Sequence, residues 1–238
     1  MVNNIDELEN KIIEFTNNEK KKIELSVMNK IAEDDSKGIS QMIGRRYGFI
    51  WEEIVKIIFN HSDNIQLGDK IYYKDYVEKW INYNSANFKN ECCKTNSKDL
   101  LWKYINESTG TESQDLCDFT LEYNGKRIAI DTKYRFNSND SNTVREISNS
   151  AIYLKEMGFI PIMLIRRNRE ESQQAPLKRF EKNGWQIIDG ANAINFIKEL
   201  TEFDLKNTII NELDIWDYLS NYHNELIKLR FGEREWIY

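Results

Sequence analysis

An α/β fold, a mixed β-sheet flanked by helices with helical extensions at both ends, is predicted by three features of the sequence. Asn124–Gly125 joins two runs whose apolar and polar residues alternate at the strand period, which marks a β-hairpin. Phe159 to Ile165 is apolar nearly throughout, as expected of a strand covered on both faces. Between Ile5 and Phe59, apolar residues recur at helical spacing.

In chain order, Ile5, Leu8, Ile12 and Phe15, then Ile23, Val27, Met28 and Ile31, predict helical segments to about Ala32. Asp34 to Gly38 reads as a turn. Tyr47 to Phe59 is a strongly apolar helix that ends before Asn60. Signals from His61 to Thr111 are mixed, with helices at Tyr73 to Tyr83 and near Asp99 to Ile105. After the hairpin, Ser141 is expected to N-cap a helix through Met157, and Gly158 to stop it. A strand, a helix and then a strand imply a crossover and a parallel pairing, so the sheet is mixed. Lys178 to Asn183, Trp185 to Asp189 and Ala191 to Leu200 read as helix, short strand and helix. The aromatic end, with Trp216, Tyr218, Tyr222, Phe231 and Trp236, is expected to pack as helices on the core or on a second subunit.

The hairpin carries the chemistry. Its two-residue turn pairs Tyr123 with Lys126, Glu122 with Arg127, Leu121 with Ile128 and Phe119 with Ile130, and places Asp118 opposite Asp131. Side chains alternate, so Phe119, Leu121, Ile128 and Ile130 form the buried face, while Asp118, Asp131 and Lys133 share the other. Two carboxylates directly opposed destabilise a sheet unless something neutralises them. A divalent cation would do so. Hard oxygen ligands suit Mg²⁺ better than zinc, and the chain has only two histidines. The carbonyl of Thr132 is a further hard oxygen between Asp131 and Lys133. Mn²⁺ is expected to substitute for Mg²⁺. Lys133 would reach the same site, either as a base toward a water or as a stabiliser of a phosphorane.

Asp118, twelve intervening residues and then Asp131–Thr132–Lys133 at the end of an apolar strand resemble the signature of the PD-(D/E)xK nuclease superfamily. The order that follows, a polar loop, a helix, the strand Ile160 to Ile165 and a helix leading to Gly184–Trp185, is similar to type II restriction endonucleases. Cys117 stands where the motif's name has proline. The resemblance covers about residues 43–203 and implies a restriction-endonuclease-like core within a single domain of residues 1–238. It implies Mg²⁺-dependent hydrolysis of phosphodiester bonds in double-stranded DNA at a short, palindromic site, by a homodimer. Family members often add a carboxylate from an early helix. Glu52, four residues after Gly48, matches that pattern, with Glu53 as its neighbour and alternative.

At 238 residues with 40% apolar content, the chain can build one sizeable core, and two prolines and ten glycines leave no linker of convincing length. No apolar run approaches the roughly 18 residues of a membrane span, and the charged N-terminus lacks a signal-peptide core, so a cytoplasmic protein without membrane contact is expected. Cys92, Cys93 and Cys117 have neither disulfide-framework nor zinc-knuckle spacing. A net charge of −6 does not exclude a nucleic-acid partner, because only a local basic face is needed. Arg45–Arg46, Arg166–Arg167 with Arg169, and Lys178–Arg179 with Lys182 are candidate pieces of one. Lys20–Lys21–Lys22 reads as a solvated face.

Base reading requires amide and guanidinium groups that reach groove edges. Arg135, Asn137, Asn139, Asn142, Thr143 and Arg145 follow Lys133 directly, and Arg166, Gln173 and Gln174 lie in or beside the loop after the parallel strand. Two rivals accompany the restriction-enzyme expectation. One is a repair or junction-resolving nuclease of the same fold, and the other is a DNA-binding or assembly protein without catalysis.

Overall fold

A computed structural model of the chain describes residues 5–32, 36–87, 114–138 and 140–205. Two long helices come first, α1 (Ile5–Ala32) and α2 (Ser36–Asn60). They are followed by β1 (Ile65–Gly68), α3 (Tyr73–Asn87), β2 (Phe119–Tyr123) and β3 (Lys126–Lys133). The rest is α4 (Ser141–Glu156), β4 (Ile160–Ile165), a 3-10 turn (Arg169–Glu171), α5 (Gln174–Asn183), β5 (Gln186–Asp189) and α6 (Gly190–Thr201). The five strands form one sheet in the order β1-β2-β3-β4-β5. The first three run antiparallel and β3, β4 and β5 run parallel, so the expected mixed sheet is present.

The hairpin has the register that its turn dictates. Asn124 and Gly125 both take positive φ, 50° and 71°, the combination a two-residue turn needs to match strand twist. Phe119 pairs with Ile130, Leu121 with Ile128, Glu122 with Arg127 and Tyr123 with Lys126. Alternation along β3 and β4 then divides the core in two. Ile128, Ile130, Ile162 and Leu164 pack with α1, α2 and α6, whose buried residues include Leu8, Trp51, Ile54 and Ile197. Ala129, Met163 and Ile165 pack with α4 and α5 through Leu154, Leu177 and Phe180. Helices cover both faces, which is why β4 is apolar along its whole length. Trp51 locks α2 to the sheet by donating its Nε1–H to the Leu164 carbonyl at 3.1 Å.

Several expectations are corrected. The second helix begins at Ser36, so Gly38 lies inside it and not in a turn. Residues before Tyr47 extend it N-terminally and contribute Ile43 to the core. The segment read as mixed contains β1, a four-residue edge strand too short to show a period. Asp140, not Ser141, caps α4, its carboxylate accepting from the backbone N–H of Asn142 and Thr143. The helix expected from Lys178 starts at Gln174. The helix near Asp99 to Ile105, Cys92 and Cys93, Asn139, and the aromatic C-terminal residues lie outside the described residues. Among the described residues, no helix is long and apolar enough to cross a membrane.

Candidate active site

The carboxyl ends of β3 and β4 and the start of β2 meet at one end of the sheet, and the candidate residues gather there. The paired ladder of the hairpin ends at Phe119 and Ile130. Asp118 leaves the expected register, its N–H donating to the Ile130 carbonyl at 2.9 Å. Its Oδ2 accepts from both the backbone N–H and the hydroxyl of Thr132, each at 2.7 Å. Asp118 thus faces Thr132 and does not sit squarely opposite Asp131. Two hydrogen bonds fix its carboxylate at the edge of the site.

Asp131 is 8% exposed. Its Oδ1 accepts from Lys133 Nζ at 2.8 Å, whereas its Oδ2 is buried and has no hydrogen-bond partner among the described residues. Burial raises the Asp131 carboxyl to about 6, Lys133 opposes that rise, and Asp118 and Glu52 add to it. Lys133 also donates to the Thr132 carbonyl at 3.2 Å. Burial works to lower the Lys133 pKa, but the negative charges of Asp131 and Asp118 outweigh it and raise the group overall. Lys133 is therefore a cation at neutral pH.

Glu52 approaches from α2 on the other side of the sheet, and its charge is felt at both Asp131 and Lys133. Lys56, one turn further along α2, bridges Glu52 at 2.5 Å and Glu53 at 3.1 Å. That bridge answers the desolvation problem of a carboxylate on an otherwise apolar helix. Glu52 is among the charges that raise Asp131.

Sequence reasoning missed Lys70. It follows β1 and donates to Asp115 Oδ2 at 3.0 Å. Burial works to lower its pKa, but Asp115, Asp118 and Glu52 raise it overall, so Lys70 is a second ammonium within electrostatic range of the site. An isolated lysine after an unrecognised strand carries no motif, and only the pairing of β1 with β2 brings it here.

A divalent cation fits this arrangement in the donor set it would meet. Asp131 Oδ2 is a hard, buried oxygen with unspent acceptor capacity, Asp118 is anchored beside it, and the Thr132 carbonyl adds a neutral oxygen. Among the described residues, no group of three or more His, Cys, Asp or Glu side chains converges as a metal cluster. Water and substrate oxygens would complete the coordination, as is usual for Mg²⁺.

The candidate DNA-reading residues fall into two groups. Arg166 and Arg167 extend from β4, their N–H groups donating to the carbonyls of Lys133 and Tyr134 at 2.9 and 3.0 Å. Gln173 N–H donates to the Phe136 carbonyl, so the two polar loops run side by side next to Lys133. With the Asn137 amide turned so that both its ends are satisfied, it accepts from Arg135 Nε at 3.0 Å and donates to the Phe136 carbonyl at 2.8 Å. Arg145 and Asn142 are exposed on the first turn of α4, joined at 3.2 Å. Thr143 is engaged in the helix cap through Asp140. Gln174 closes the 3-10 turn, donating to the carbonyls of Arg169 and Ser172. Arg169 is held by both oxygens of Glu181 at 2.7 Å, so it has little left for phosphate.

The chain matches no family model, no curated protein and no solved structure.

Proposed function

We propose that this chain is a divalent-metal-dependent endonuclease that hydrolyses phosphodiester bonds of double-stranded DNA at a short specific site, as a homodimer of the type II restriction kind. The observation that carries the reading is the Asp131 carboxylate, buried beside Asp118 with one oxygen on Lys133 and the other without a partner. A fold retains such a group when something else completes it. A divalent cation bound there would supply Lewis-acid stabilisation of phosphoryl charge and a more acidic bound water.

The residues divide the remaining work. Asp118 and Asp131 would hold the cation, with the Thr132 carbonyl between them. Lys133, charged at neutral pH, would meet the negative charge that builds on the phosphoryl oxygens, which makes it a stabiliser before it is a base. Lys70 would offer a second positive charge to the scissile phosphate. Arg166 and Arg167, tied by backbone hydrogen bonds to Lys133 and Tyr134, would hold flanking phosphates. Asn142 and Arg145 stand where an exposed helix start could enter a groove. A two-fold dimer would match a palindromic site and cut one strand with each subunit.

One observation favours a second reading, DNA binding without cleavage. Lys133 Nζ lies on Asp131 Oδ1 and on the Thr132 carbonyl, so it already compensates the Asp131 charge and engages one of the oxygens that a metal would use. Incubating plasmid DNA with the protein and Mg²⁺ or Mn²⁺ separates the possibilities. Discrete bands, lost in Asp131→Asn, support the restriction reading. Structure-selective nicking points to a repair or junction-resolving enzyme, and binding without cleavage in either metal supports the second reading.

A further inference from the structure

A cleft of about 610 Å³ opens between α1 and α2, at the end of α2 opposite its junction with β1. Lys30, Arg45 and Arg46 supply its positive charge, and Gln41, Met42 and Phe49 line the rest. Arg46 also contacts the buried carboxylate of Glu19 at 3.4 Å, which fixes its guanidinium at the cleft wall. Phe49 is 41% exposed, and its ring is backed by Phe15 of α1 at a centroid separation of 6.2 Å. A large aromatic ring held at the surface inside a basic cleft calls for a ligand that carries both negative charge and a flat apolar face.

The cleft and the candidate active site lie along one line of α2. Arg45, Phe49, Glu52 and Lys56 follow one another at intervals of four, three and four residues, so they form a single stripe of the helix. Arg45 stands seven residues, or about 10 Å, from Glu52. That is a reach of a few nucleotides. Phosphates on the basic side chains and a base on an exposed ring are the way single strands are held, because an unpaired base has a free face and a paired one does not.

We infer that the α1/α2 cleft binds the unpaired strand of a DNA substrate where it leaves the duplex beside the cut, with Phe49 stacking a base and Arg45 meeting a phosphate. The inference rests on the nuclease reading and adds to it a preference for duplex sites that carry a single-stranded flank, without making the flank a condition of cleavage at a fully paired site. It needs no base identity, since stacking tolerates any base.

The test compares labelled duplexes with and without an unpaired flank of about ten nucleotides, bound in Ca²⁺ and followed by fluorescence anisotropy. The wild-type chain is expected to bind the flanked duplex at least about fivefold more tightly. Phe49→Ala should erase that advantage and leave blunt-duplex affinity unchanged, while Phe49→Trp should keep it. Arg45→Gln should reduce the salt slope on the flanked duplex by about one unit and leave the blunt-duplex slope as it was. Equal affinity for the two duplexes in the wild-type chain, or an equal loss on both in Phe49→Ala, would overturn the inference. Plasmid cleavage with no preference for flanked DNA would sink the cleft and spare the nuclease. A Phe49-dependent preference with no cleavage in any metal would do the reverse.

Discussion

The pH dependence of metal binding tests the site most directly, because the Asp131 carboxyl is held at about 6 and a metal ligand must give up its proton. At pH 5 only about a tenth of such a group is ionised, and at pH 7 about nine-tenths is, so apparent affinity should rise roughly tenfold from pH 5 to pH 7. An ordinary aspartate near pH 3.9 would be more than nine-tenths ionised at both, and affinity would barely change. Calorimetric titration with Mn²⁺ in two buffers of different ionisation enthalpy counts the protons displaced. The expected release is about half a proton at pH 6 and about a tenth at pH 7. Lys133→Met should move the whole curve to higher pH, since Lys133 is the group that opposes the rise at Asp131. An affinity that varies less than about twofold between pH 5 and 7, with no proton release at pH 6, would refute this account of the site.

Three further outcomes are expected. Asp118→Asn, Asp131→Asn and Lys133→Ala should each abolish metal-dependent cleavage while circular dichroism and DNA binding persist, and full activity in any two would remove the catalytic assignment. In metal-free protein, Asp131 is raised in the fold relative to the unfolded chain, so the folded state holds that proton more tightly. Its contribution to stability is therefore largest at low pH and declines by up to about 3 kcal/mol as pH rises from about 4 to 6. Denaturant midpoints should show this decline in wild type and not in Asp131→Asn, and parallel profiles for the two proteins would contradict it. Trp51→Phe removes the donor to the buried Leu164 carbonyl and should cost about 1–3 kcal/mol by urea denaturation, so a change below about 0.5 kcal/mol would show that the carbonyl finds another partner.

What the sequence determined by itself was local or periodic. Asn124–Gly125 dictates a turn with two positive φ values, and that turn sets the partner of every residue from Phe119 to Ile130. Alternation then assigns the faces, which is why the buried side of the hairpin was legible before any fold was known. The long helices and the doubly covered β4 were legible for the same reason, since burial on one stripe or on two faces leaves a period in the chain. Asp131 and Lys133 were legible as neighbours because two residues along a strand share a face.

What tertiary structure decided depends on groups distant in the chain. The edge strand β1 is too short to carry a period, and it exists because β2 offers it a partner. Lys70 reaches the site only through that pairing. Asp118 slips out of the ladder because the N–H and hydroxyl of Thr132 satisfy its carboxylate better than a place opposite a second acid would. The raised Asp131 and its unpartnered Oδ2 come from desolvation by packing, and from charges on Asp118 and on Glu52 of a helix docked to the sheet through Trp51 and Leu164, 113 residues apart. A sequence states which groups are available, but the dielectric around a carboxylate and the number of its hydrogen-bond partners are properties of packing.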